Sequence, residues 1–541
     1  MRLNEQGRNR LSLYLIVAGI LVLANLFSVR TFFRLDLTRS HAYSLSAVSK
    51  QYMRNLKDPL TVKAFFSQQL PPPYNANARY LRDLLEDYRI YSRGRFNYQF
   101  VDPAEDPALQ REARTLGVYE IQLTAVARDK FEQKTGFMGL AMFYGNRQEV
   151  LPLLQDTSGL EYQLSSMIKK LMQEKKKVLG ITQGHGEPAL ESDLSNFSQI
   201  ISGNYEVVPV HLGGEAIPDR VDALVVPGPT EALDEVSRYR LDHFLRSGRS
   251  LALMVQMIKA DARSTMQGRP LMTHLNELAA AWGVNVAPNL IYDVQCQKIA
   301  VAQRGPGFIM QNIVAYPPFP LVTNINAKHL MVKNLESFTL PFVSEVSPNE
   351  AVCKQNQLDC QVVAKSSPRA WAQQNFFMLS PQFIQPPQGQ EPKQFPLLVT
   401  VSGKFPGAFA ADKVPASGSP SDAPLPPFAA EAKPSRLVVV GGADFLTNDF
   451  IDPRRQGDVI QLAQNLVDWV AQDSALIEIR GKETTPPALG QVGEAHRQAV
   501  KYFNWLGLPL LVVLAGLVMW RRQAARQLAL AQRYAGGAKT Q

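Results

Sequence analysis

Cysteine is scarce: there are three in 541 residues. That excludes a dense disulfide framework, and it leaves no Cys-x-x-Cys for redox chemistry. Cys353 and Cys360 lie seven apart in an expected loop, where they either pair or stay free thiols. Cys296 reads as a small buried apolar residue. No Gly-x4-Gly-Lys-Ser/Thr loop is present, so no phosphate cradle of that kind exists in the chain. No His-Glu-x-x-His occurs, and the seven histidines follow no ligand spacing, so neither a metal nor a cofactor is expected. Gly-x-Ser-x-Gly is missing as well. In an amidotransferase-like α/β fold the nucleophile sits on a sharp strand-to-helix turn. The two candidate turns here read Val226-Pro227-Gly228-Pro229 and Val255-Gln256-Met257, with neither Ser nor Cys.

Acidic residues are absent from 501–541, and this shapes the reading of a formal charge of +9. That tail carries Lys501, Arg521, Arg522, Arg526, Arg533 and Lys539, an excess of +6. Residues 1–40 carry six arginines against Glu5 and Asp36, an excess of +4, so the body 41–500 is −1. The basic excess therefore flanks two apolar runs, Leu11–Phe27 and Trp505–Trp520, and does not form a nucleic-acid face. Each run is about the length of a bilayer-spanning helix. No small-x-small cleavage site follows the first run, which predicts an uncleaved anchor. The expectation is a transmembrane helix over 11–30 after a short cytoplasmic segment 1–10, and a second over 503–520. By the positive-inside rule, Arg521, Arg522 and Arg526 make 521–541 a cytoplasmic tail. Both termini are then cytoplasmic at a bacterial inner membrane, and the body is periplasmic.

The body reads as α/β. Residues 59–66 and 95–101 alternate as strands around an amphipathic helix, Asn77–Arg93, with Leu81, Leu84, Leu85 and Tyr88 on one face. Strands at about 122–130 and 137–145 follow, with 149–154 a further one. Over 45–155 this order is thioredoxin-like. Across 175–480 short apolar strands alternate with helices: 177–182, 205–210, 223–226 and 250–255, then 436–440 after a long interval. This predicts a larger doubly wound parallel sheet, with a β-rich insertion over 290–400. The Pro/Ala/Ser/Gly stretch 403–434 has no apolar period and is expected to be a flexible linker.

Two Gly-containing turns follow strands, where such sheets bind ligands. In Gly184-His185-Gly186-Glu187, His185 and Glu187 either contact a ligand or partner, act as acid and base, or bond their own loop. In Gly441–Asn448, Asp444 and Asn448 either face the same crevice or satisfy turn amides. If Glu187 and Asp444 face each other, the crevice favours cationic or hydroxyl-rich groups.

Arg34-Leu35-Asp36-Leu37-Thr38 and Tyr43-Ser44-Leu45-Ser46, then Gly184–Glu187, then Gly441–Asn448, Asn465–Trp469 and Ile477–Arg480, occur in an order that resembles the gliding-motility-associated auxiliary subunits of ABC transporters. The resemblance implies a separate ATPase and a polytopic permease as partners, and an outer body associated with substrate binding. Asp36, Thr38, Tyr43 and Ser44 form its membrane-proximal motif. The leading expectation is a non-catalytic accessory subunit that binds or guides cargo or scaffolds a partner. A tethered hydrolase or amidase, or an adaptor without a transporter, are the alternatives.

Overall fold

The computed structural model describes Gly19, residues 44–473 (apart from 73, 105, 128–129, 156, 158, 174, 306–307, 334, 387–390, 416–422 and 454–456), then Ile477, Gln498, 501–503 and 507–535. The chain divides into two compact units, Met1–Thr484 and Thr485–Gln541.

In the first unit, α1 (Ala47–Arg54) precedes a four-stranded sheet. Strand β1 (Leu60–Phe66) is followed by α2 (Tyr74–Tyr91), β2 (Phe96–Val101), β3 (Met138–Tyr144) and β4 (Arg147–Leu151), and α3 (Leu160–Met172) then leads out. The sheet order is β2-β1-β3-β4. Only β1 and β2 run parallel, with α2 as the crossover between them; the other neighbours pair antiparallel. Leu81, Leu84, Leu85 and Tyr88 of α2 are buried at helical spacing, in one core with Leu160, Leu164 and Ile168 of α3 and Met53 of α1. A separate hairpin, Ile121–Ala127 with Lys130–Gly136, stands between β2 and β3 in the chain.

The larger sheet has eight strands. In chain order they are β5 (Lys177–Gln183), β6 (Tyr205–His211), β7 (Val221–Pro227), β8 (Ser250–Met254), β9 (Asn324–Ile325), β10 (Asp359–Lys365), β11 (Pro396–Lys404) and β12 (Pro434–Val440). Their spatial order is β9-β10-β11-β12-β8-β7-β5-β6. From β12 to β6 the pairing is parallel; from β9 to β12 it is antiparallel. The sheet is thus mixed, not the wholly parallel one expected. The stretch 290–400 accounts for the difference, since it supplies strands to the sheet itself. Leu397, Leu398, Val399 and Val401 of β11 are all fully buried, and a strand covered on both faces has to lie inside a sheet.

Helices α4 (Ser195–Ser202) and α7 (Asp458–Val470) cover one face, sharing a core with Leu179, Ile181, Val438 and Val440. On the other face are α5 (Glu235–Arg246) and α6 (Leu275–Ala281), packed on Val226, Leu251, Val399 and Val439. The described part of 403–434 also lies on α5 instead of hanging free. Tyr239 donates to the Pro426 carbonyl at 3.0 Å, Arg240 to that of Ala423 at 2.9 Å, and Asp242 accepts the Ala408 amide at 3.0 Å. Proline and alanine give this strap no apolar period, yet its backbone carbonyls and an amide bond the Tyr239, Arg240 and Asp242 side chains of α5. Cys353 and Cys360 are joined as a disulfide, and Cys296 is free.

The terminal transmembrane helices are not supported. Among the described residues no helix is long and apolar enough to cross a membrane. The run Leu11–Phe27 lies outside the described residues apart from Gly19. The second run opens α8 (Leu508–Ala535), but within that helix its apolar part stops at Trp520, and Arg521, Arg522 and Arg526 follow on the same helix. From Leu508 to Trp520 a helix rises roughly 20 Å, against a hydrocarbon core of about 30 Å. The inner-membrane placement with cytoplasmic termini, inferred from those spans, is likewise not supported.

Candidate functional site

At the carboxyl end of β5, Gly184 and Gly186 take φ of 108° and 73°, turning the chain sharply. The Glu187 carboxylate accepts the His185 amide at 2.6 Å, closing the turn on itself. The His185 carbonyl accepts the Thr230 and Glu231 amides at 3.0 and 2.9 Å, so the loop after β7 locks onto the loop after β5. His185 Nε2 faces the Ser237 hydroxyl at 3.4 Å, and Ser237 is fully buried inside α5. These two residues hold neighbouring loops together.

Asn448 does similar work. Its side-chain oxygen accepts the Asn196 amide at 2.9 Å, and its nitrogen donates to the Ser192 carbonyl at 2.5 Å and the Ser195 hydroxyl at 2.9 Å. The loop after β12 is thereby pinned to the start of α4. Between β12 and β5 lie β8 and β7, so the turns 184–187 and 441–448 are not adjacent. A Cβ on Gly228 would lie 2.5 Å from the Ala443 Cβ, which shows how closely the loops after β7 and β12 approach. Of the expected crevice residues, Asp444 lines an open cleft.

That cleft has a volume of about 760 Å³. It is lined by Ala260–Arg263 at the end of the strand Ile258–Asp261, by Phe319, Phe338 and Phe342, by Asp444, Asp449 and Phe450 after β12, and by Asp458 at the start of α7. Phe319 packs edge-on to Phe342 at 5.0 Å and to Phe450 at 5.3 Å. Phe342 sits at φ 49°, an uncommon conformation for an aromatic residue. Arg263 donates to both carboxylate oxygens of Asp449 at 2.7 Å. Gln256 donates to Asp444 at 3.1 Å. Burial, with a smaller push from Asp449, raises the Asp444 carboxyl to about 6 despite its own backbone amide and Lys259. Burial also raises Asp458, against the Ser337 hydroxyl. Asp261 is held down to about 2 by the Ser264 and Thr265 amides and the Thr265 hydroxyl. Among the described residues no group of three or more His, Cys, Asp or Glu is placed to hold a metal ion.

Arg263, Asp449 and the phenylalanines escaped the sequence reading. A signal was present in the recurrence of Asp444, Asp449, Asp452 and Asp458 around Phe450 after a single strand, but the other phenylalanines, Phe319, Phe338 and Phe342, lie more than 100 residues upstream.

In the membrane-proximal motif, Asp36, Thr38 and Tyr43 lie outside the described residues, and Ser44 lies just before α1. Ser46 caps α1, its hydroxyl accepting the Ser49 amide at 3.1 Å. The buried Glu161 carboxylate accepts the Ser46 amide and the Ser49 hydroxyl, both at 2.7 Å.

With this geometry in place, the chain can be set beside known proteins. A family model described as an ABC-type uncharacterized transport system, auxiliary, matches residues 176–472, which span the eight-stranded sheet. A domain of unknown function (DUF7088) matches 39–143, which takes in three of the four strands of the small sheet. A protein of Borreliella burgdorferi is 20% identical over 506 residues, covering 91% of this chain and 93% of its own. Among solved structures, the mmIFT52 N-terminal domain is 12% identical with a TM-score of 0.33, covering 54% of this chain and 97% of its own. A putative ThuA-like protein from Parabacteroides merdae is 11% identical with a TM-score of 0.28, covering 55% and 90%.

Proposed function

The chain belongs to the auxiliary family of ABC-type transport systems, and from that premise we propose that it is a non-catalytic accessory subunit, assembled with a separate ATPase and a polytopic permease, whose α/β body binds cargo or a partner. The observation that carries this reading is the extent of the family match, which takes in the whole eight-stranded sheet and both of its cores. The narrower likeness to gliding-motility-associated subunits rests on motif order alone.

The rim geometry favours binding over acid–base chemistry. A general base has to reach a substrate proton within hydrogen-bond distance. Glu187 is instead engaged by the His185 amide, and the hydroxyl facing His185 belongs to a fully buried serine. Both groups maintain loops.

The test is purification of the tagged full chain from its native cells in mild detergent after brief cross-linking. An ATPase and a permease should co-purify in a fixed ratio. Recovery of the folded chain with neither would overturn the assembly. A hydrolytic turnover abolished by Glu187→Gln at unchanged stability would overturn the non-catalytic assignment.

A further inference from the structure

Neither the family match nor the accessory role says what the cleft beneath Arg263 accommodates. It differs from a cluster of surface acids in three ways. First, it has room: about 760 Å³ is the volume of a small-molecule site. Second, the partly exposed Phe319 and Phe450 give it an aromatic wall, backed by the buried Phe338 and Phe342, and an aromatic face attracts cations through the ring quadrupole. Third, a cation already stands there. The Arg263 guanidinium grips Asp449 through both oxygens, although its side chain is 82% exposed. An exposed pair of that kind is screened by solvent, so it is readily exchanged. Among the described lining residues there are five carboxylates, those of Asp261, Asp444, Asp449, Asp452 and Asp458, against Arg263, with Lys259 acting on Asp444 from nearby. Because no described group of three or more is placed to hold a metal ion, the charge suits a diffuse organic cation better than a compact inorganic one.

We infer that this cleft is a binding site for an organic cation, an ammonium or guanidinium group, which displaces Arg263 from Asp449 and rests against the Phe319–Phe450 wall beside Asp444. This assignment is independent of the transporter role and stands or falls without it.

The experiment is calorimetric titration of the full chain at low salt with agmatine, with a short Gly-Arg-Gly peptide, with Mg²⁺, and with the uncharged amide glutaramide. Agmatine or the peptide should bind; agmatine alone assigns a free amine, and the peptide alone a partner's side chain. Asp449→Asn should weaken binding about tenfold, the equivalent of one charged contact. Asp444→Asn should weaken it too, and Phe319→Leu should do so without any change in charge. Arg263→Ala should tighten binding, since it removes the competing guanidinium; a merely structural Arg263 would not produce that gain. Asp449 is 62% exposed, so its Asn variant is expected to fold. Failure of both cations to bind would overturn the assignment. So would binding no tighter than that of glutaramide or Mg²⁺, or binding indifferent to Asp449→Asn and Arg263→Ala.

Discussion

Nδ1 of His329 accepts the Met331 amide at 3.3 Å, so the ring proton sits on Nε2 and is donated to the Thr400 hydroxyl at 3.1 Å. Protonating Nδ1 would set one N–H against another in a buried site. Burial accordingly lowers this histidine to about 4, with Arg436 adding to the fall and Asp359 opposing it. The lowered value fixes the sign. His329 contributes stability that is full above its unfolded value near 6.5 and is lost as pH falls toward 4, on the order of 2–3 kcal/mol in total. Denaturant midpoints should drop across that window, and His329→Gln should flatten the drop; parallel profiles would refute the assignment. Asp444 has the opposite sign. Its carboxyl is raised to about 6, so its charge opposes folding above that pH and costs nothing below about 3.8. Asp444→Asn should raise stability by about 1–2 kcal/mol at pH 7.5 and add nothing at pH 3.5. Glu187→Gln should do the reverse at neutral pH. It weakens a charged hydrogen bond within the turn, at about 1 kcal/mol, and thermal melting reads the loss.

At the scale of elements, the disulfide links the helix Glu350–Gln355 to the start of β10. The chain-entropy relation for so short a loop gives about 2 kcal/mol, so the Cys353→Ala, Cys360→Ala pair should lower stability by that amount. An unchanged midpoint would mean that the bond leaves the unfolded chain unconstrained. Elements were the most legible level of the sequence. The run Ala223–Val226 and the Leu81–Tyr88 stripe announced a buried strand and an amphipathic helix because burial alone dictates their pattern. Pairing between distant strands was not legible. Nothing local to 359–365 or 396–404 says that β11 docks antiparallel on β12 and β10 on β11, since register is fixed by contacts made only after the chain folds back. The strap on α5 was missed for a related reason: without an apolar period it looked unable to pack, but α5 holds it through hydrogen bonds to its backbone. The cleft at Asp444 draws on five separated stretches, 260–263, 297, 319–321, 337–342 and 444–460, and no single window of sequence contains its geometry.

In the first unit as a whole, the core of the small sheet has to be held to the core on the α4 and α7 face of the large sheet, and the joint is polar. Lys169 of α3, a helix packed in the core of the small sheet, is paired with Asp473 just beyond α7, which packs on the large sheet. Both side chains are buried, at 8% and 9% exposure. Around them Tyr205 donates to Asp468 at 2.7 Å, and Ser166 of α3 donates to Asn204 at 2.8 Å. Tyr52 of α1 is pushed up in pKa by burial and then by Asp473 and Asp468, which places α1 in the same polar junction. A buried ion pair adds little beyond what a well-packed apolar pair would, but removing one partner strands a charge, at a cost of about 3–5 kcal/mol. Lys169→Met should therefore destabilise the protein strongly, and adding Asp473→Leu should recover most of the loss. Scanning calorimetry distinguishes how the two cores respond. If the junction couples them, wild type and the double variant melt in one transition, while Lys169→Met splits the melt, because the stranded Asp473 charge is relieved when the two sheets separate. A single transition in all three proteins, with Lys169→Met shifted by less than about 1 kcal/mol, would show that the pair does not join the cores.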